Sequence, residues 1–124
     1  MERNINKYVY YFLAIMNTML LGCETALEKP LEKDFVILLS PKDSLVTSTT
    51  SQTFYWDLLD GAAEYQLQVV SPRFNAIERL IKDTIMNGNQ FTIELAKGDY
   101  EWRVRGLNYS SASRFNNINR LYIH

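Results

Sequence analysis

The chain has 124 residues, the size of one domain. Apolar residues make up 47% and charged residues 22%, ordinary globular values that exclude disorder as its main state. Thirteen Lys and Arg against 14 Asp and Glu leave a net charge of -1, so no electrostatic attraction to nucleic acid is expected. One cysteine excludes an internal disulfide.

The first element is a processing segment. Residues 1–7 carry Arg3 and Lys7, and Tyr8 to Met16 form a run of nine apolar residues. Asn17-Thr18 interrupts it, and Met19-Leu20-Leu21 resumes it. A basic end before a short apolar run has the shape of a secretory signal peptide. It is too short for a spanning helix, which needs about 20 apolar residues. The run ends at Leu20-Leu21-Gly22-Cys23. These four residues resemble the lipobox of bacterial lipoproteins. That resemblance implies a diacylglycerol on the Cys23 sulfur, cleavage before Cys23, and a mature chain starting there. Two or more acyl chains give stable anchoring. Glu24 to Asp34, charged and containing Pro30, read as a tether. Eleven residues reach at most about 36–40 Å.

From Phe35 the hydrophobic period becomes two, the pattern of half-buried strands. Phe35 to Leu39 predicts a first strand, ended by Ser40-Pro41. Residues 42–51 are a Ser- and Thr-rich loop with a short strand at Leu45-Val46. Thr53 to Asp57 alternates, with Phe54 and Trp56 on one face and Tyr55 on the other. Asp60-Gly61 signals a turn. Glu64 to Val69 places Tyr65, Leu67 and Val69 inward and Glu64, Gln66 and Gln68 outward. Ser71-Pro72 is expected to end that strand. Phe74 to Met86 fits either a helix or a strand. Gln90 to Leu95 alternates again, and Lys97-Gly98-Asp99 turns. Tyr100 to Gly106 is the strongest strand, with Tyr100, Trp102 and Val104 inward and Glu101, Arg103 and Arg105 outward. Asn108 to Asn117 is a polar loop, and Arg120 to Ile123 a final strand. About seven short strands at regular spacing predict an all-β, antiparallel two-sheet sandwich. The expected organisation is a signal segment at 1–22, a lipidated tether at 23–34 and a sandwich at 35–124.

Three stretches resemble a fibronectin type III domain: Phe54-Tyr55-Trp56, Glu64-Tyr65-Gln66-Leu67, and Leu95 to Asn108. The resemblance implies an immunoglobulin-like sandwich defined by Trp56, Tyr65, Leu95, Gly98, Tyr100 and Trp102. Tyr100 would be the corner tyrosine, its hydroxyl bonded to the backbone a few residues upstream. "YEWRVRGLN" before a Ser-rich loop is also similar to single-domain lipoproteins of Bacteroidetes-type bacteria, which implies an outer membrane of a Gram-negative cell, with the side left open.

Chemistry is sparse. The sole histidine, His124, is the last residue, a poor place for a general base. No zinc-type ligand cluster and no Gly-rich phosphate loop is visible, so no cofactor, metal site or enzymatic activity is expected. Asp57, Asp60 and Asp83 are scattered carboxylates, read as solvated loop and edge residues. The candidate interaction surface comprises Arg103, Arg105, Tyr55, Tyr109 and Phe115. The plainer role for both arginines is a polar ladder with Glu64, Gln66 and Gln68, at roughly 0.2–1 kcal/mol per pair. Two functions follow as expectations. One is a lipid-anchored interaction or structural module whose partners are the membrane and other envelope proteins. The other is a carbohydrate-binding surface lipoprotein, in which Tyr55, Tyr109 and Phe115 would form one platform for a glycan.

Overall fold

The computed structural model describes residues 28–115 and 117–124. The expected signal segment and Cys23 lie outside them. Eight strands form: β1 Leu38–Ser40, β2 Leu45–Thr47, β3 Ser51–Trp56, β4 Glu64–Arg73, β5 Ala76–Met86, β6 Gln90–Glu94, β7 Gly98–Leu107 and β8 Asn119–Ile123. They make two sheets, ordered β1-β3-β6 and β2-β8-β7-β4-β5. The described residues are therefore all-β, as their alternation predicts. Strand pairs are antiparallel, except that β2 runs parallel to β8.

The core lies where period two places it. Tyr65, Leu67 and Val69 of β4 and Tyr100, Trp102 and Val104 of β7 face Phe54 and Trp56 of β3. The Phe54 and Trp102 rings meet edge to face with centroids 4.9 Å apart, a favoured aromatic geometry. The Tyr100 hydroxyl donates to Ala96 O at 2.6 Å, the bond that defines the tyrosine corner.

Two local expectations are corrected, and one stretch that the sequence left open is settled. Of Phe35 to Leu39, only Leu38 and Leu39 enter β1. Phe35 makes an isolated bridge to Arg114, and the register with β3 slips between Leu38 and Ser40. Ser71-Pro72 does not end β4, which runs on to Arg73. A register shift between Ser71 and Pro72 accommodates a residue that has no N–H for the ladder. Phe74 to Met86 resolves into a turn at Phe74-Asn75 and strand β5, which returns along β4 as the edge of the larger sheet. An edge strand exposes much of both faces, so its apolar residues carry no clean period.

The tether expectation is also corrected at its C-terminal end. Leu31 is fully buried. Its N–H donates to Ser111 Oγ at 3.0 Å, and Asn108 Nδ2 donates to Lys29 O at 2.7 Å. Residues 28–34 thus pack on the sandwich beside the β3–β4 and β7–β8 loops.

Gly61 makes room for this packing. The Ala62 N–H donates to Leu59 O at 3.0 Å, and Gly61 has φ of +87°, the value a type II turn demands at its third position. A Cβ there would lie 3.1 Å from Lys29 Cβ and 3.3 Å from Leu31 Cδ2. Gly61→Ala is expected to cost about 1–3 kcal/mol through backbone strain. A urea melt should show a lower midpoint and an unchanged slope.

Candidate interaction face

The outer face of the five-stranded sheet carries the most organised set of polar side chains. Register builds it. Gln66 and Gln68 on β4 stand opposite Arg105 and Arg103 on β7, and Gln68 stands opposite Asp83 on β5. Directly opposed residues of an antiparallel pair project on the same side of the sheet, so the groups meet in rows across three strands. Arg103 Nε donates to Gln68 Oε1 at 2.8 Å, and Arg105 Nε to Gln66 Oε1 at 2.7 Å. Each glutamine then donates through Nε2 to Asp83, Gln66 at 2.8 Å and Gln68 at 3.2 Å. The two amides thus connect a carboxylate at the sheet edge to two guanidinium groups at its centre.

Two aromatic rings complete the face. The Arg103 guanidinium carbon lies 4.0 Å from the Phe74 ring centroid and 4.3 Å from that of Phe115. Arg105 lies 4.7 Å from the Phe115 centroid. A guanidinium is planar and weakly hydrated, which suits it to stacking of this kind. Burial, and then repulsion from Arg105, lower the Arg103 pKa, with Asp83 opposing. Phe115→Ala removes a ring shared by two cations and is expected to cost about 1–2 kcal/mol, measured by urea unfolding against the parent chain.

A second cluster adjoins the first. The Glu101 side chain is 8% exposed. Its Oε1 accepts from the Phe74 N–H at 2.8 Å, and its Oε2 from Arg120 Nε at 3.1 Å. The hydrogen bond to Glu101 is the largest influence raising the Arg120 pKa. Phe74, Asn75, Glu101, Ile118 and Arg120 line an open groove of about 500 Å³. Both carboxylate oxygens of Glu101 are already engaged. The face therefore offers guanidinium edges and ring faces for contact.

The candidate residues of the sequence do not all meet. Arg103, Arg105 and Phe115 come together. Tyr55 lies on β3 in the other sheet, half-exposed. Tyr109 sits in the β7–β8 loop and is 97% exposed. The three aromatics thus form no common platform. Glu64 stands opposite Leu107, so Asp83 supplies the carboxylate of the ladder in its place. Asp60 pairs with Lys29 at 3.3 Å. Among the described residues no group of three or more His, Cys, Asp or Glu could hold a metal. His124 Nε2 lies 3.4 Å from Asp99 Oδ1 at the end of β8. Phe74, Asp83 and the Glu101–Arg120 pair are absent from the predicted surface. The outward position of Glu101 in the β7 alternation is the one signal that could have pointed to that pair.

The strand arrangement and the tyrosine corner settle the architecture. The fold is an immunoglobulin-like β-sandwich. Fibronectin type III domains share that architecture. Among solved structures, one described as "Structure of FN3tt mut" is similar to this chain at 16% identity, over 69% of this chain and 82% of that one, with a TM-score of 0.43. No protein-family model matches the chain, and no curated protein is significantly similar to it.

Proposed function

We propose that this chain is a non-catalytic, lipid-anchored interaction or structural module of a bacterial cell envelope, attached through Cys23 to the outer membrane of a Gram-negative cell. The anchor rests on the sequence: an apolar run ending in Leu20-Leu21-Gly22-Cys23. The interaction role rests on one observation, the Arg103 guanidinium held between the Phe74 and Phe115 rings on the outer sheet face. Arginine and aromatic residues are enriched where proteins dock, and this set is fixed in place before any partner arrives. The carbohydrate alternative needs a platform that Tyr55, Tyr109 and Phe115 do not share, so the protein-interaction reading is preferred.

The test is cross-linking in intact source cells, followed by affinity purification and mass spectrometry. The expected result is one or two envelope proteins in fixed ratio. Their recovery should fall sharply with an Arg103→Ala, Phe115→Ala double variant that still unfolds cooperatively. A chain that runs alone in mild detergent, with no cross-linked partner, would sink the proposal.

A further inference from the structure

The lipid anchor proposed above has a geometric consequence for the folded domain. Five Cα steps separate Cys23 from Glu28, a reach of at most about 18 Å. Glu28 is not free at its far side. Its carboxylate accepts from the Ser110 N–H at 3.2 Å. The next residues are held by Asn108 Nδ2 on Lys29 O and by the buried Leu31 side chain. Residues 28–31 are therefore held at a fixed place, the end formed by the β3–β4 and β7–β8 loops. The β3–β4 loop is joined to the end of β7, where the Ala63 N–H donates to Leu107 O at 2.8 Å, and to the β7–β8 loop, where Asn108 Nδ2 donates to Gly61 O at 3.2 Å.

That same end carries the two most exposed large apolar side chains among the described residues, Tyr109 at 97% and Leu58 at 67%. Leu58 lies in the β3–β4 loop and Tyr109 in the β7–β8 loop. Tyr109 is adjacent to Ser110, whose N–H holds Glu28, and Leu58 lies in the same loop as Gly61, which packs against Lys29 and Leu31. A tyrosine with an apolar ring and a polar tip suits the headgroup level of a bilayer, where such residues are enriched.

We infer that Leu58 and Tyr109 rest on the lipid surface and orient the sandwich end-on to the membrane. This inference depends on the lipid-anchor reading. The occupant of the loop end is a lipid surface, fixed by the short reach from Cys23. The β7 strand, ten residues long, then points away from the bilayer and lifts the opposite end by about 30 Å. That opposite end includes Thr49, in the loop whose Thr50 O accepts from the Leu95 N–H at 2.9 Å.

The experiment uses the full chain, produced with its own N-terminal segment in a Gram-negative host and purified from membranes. Mass spectrometry first reads the diacylglycerol on Cys23. The protein is then reconstituted in phosphatidylcholine vesicles with brominated or unbrominated acyl chains. Tyr109→Trp and Thr49→Trp each add one exposed indole to the buried pair Trp56 and Trp102. The added emission of Tyr109→Trp should fall about twofold in brominated vesicles, as expected for an interfacial indole, and that of Thr49→Trp should not change. Lipidated protein in which both indoles are quenched equally, or neither is, overturns the end-on orientation and leaves the anchor reading standing. Protein without diacylglycerol overturns the anchor reading and this inference together.

Discussion

Trp102→Ala is expected to lower the unfolding free energy by about 3–5 kcal/mol, the range for truncating a large buried aromatic. Trp102 is fully buried, meets Phe54 edge to face, and lies on β7 at the centre of the larger sheet. Small domains have only about 5–15 kcal/mol in total, so this single change would remove much of the margin. Urea unfolding followed by circular dichroism measures it. Trp102→Phe tests the same site differently. Trp102 Nε1 is buried with no hydrogen-bond acceptor among the described residues. Leaving such a donor unpaired costs about 1–3 kcal/mol. Phenylalanine removes that donor with part of the ring, so Trp102→Phe should cost less than half as much as Trp102→Ala. A melt of Trp102→Ala like that of the parent would show that the site collapses around the missing ring.

Leu31→Ala is expected to cost about 2–5 kcal/mol, as other buried leucines do. The effect would come from a residue within a charged segment of tether-like composition. Leu31 is fully buried, and its backbone N–H is tied to the sandwich through Ser111. Leu39→Ala makes the contrast, because Leu39 belongs to the predicted first strand yet is 50% exposed. Its truncation should change stability by no more than about 0.5 kcal/mol, as surface changes do. If the two variants melt alike, residues 28–34 behave as a tether and the packing of Leu31 contributes nothing.

These two leucines show what periodicity can and cannot reveal. Tyr65, Leu67 and Val69 alternate with Gln66, Gln68 and Val70 on a strand paired on both sides, so pattern and burial coincide there, apart from Val70 beside a register shift. Tyr100, Trp102 and Val104 behave the same way. Leu31 is a lone apolar residue in a charged segment, and one residue has no period. Its burial depends on Gly61 leaving space and on Ser111 arriving from 80 positions away. The candidate face divides similarly. Alternation placed Arg103 and Arg105 together on the wet side. The rings that stack on Arg103 come from a hairpin turn and an irregular loop, where no period reports position. Asp83 was unreadable because β5 is an edge strand with two slips in its register.

That edge has a further consequence at high local concentration. A chain confined to a surface meets its neighbours far more often than it would in bulk solution, and a long open edge invites strand exchange between copies. Strand β5 is eleven residues long, which makes it a broad template. Its two register shifts bend it out of a flat ladder. Lys82 stands opposite the inward-facing Val69, with its Nζ 5.6 Å from the Phe91 ring centroid. A second copy laid along β5 would have to desolvate that ammonium group. The same irregularity that breaks the period of β5 thus makes it a poor template for a second copy.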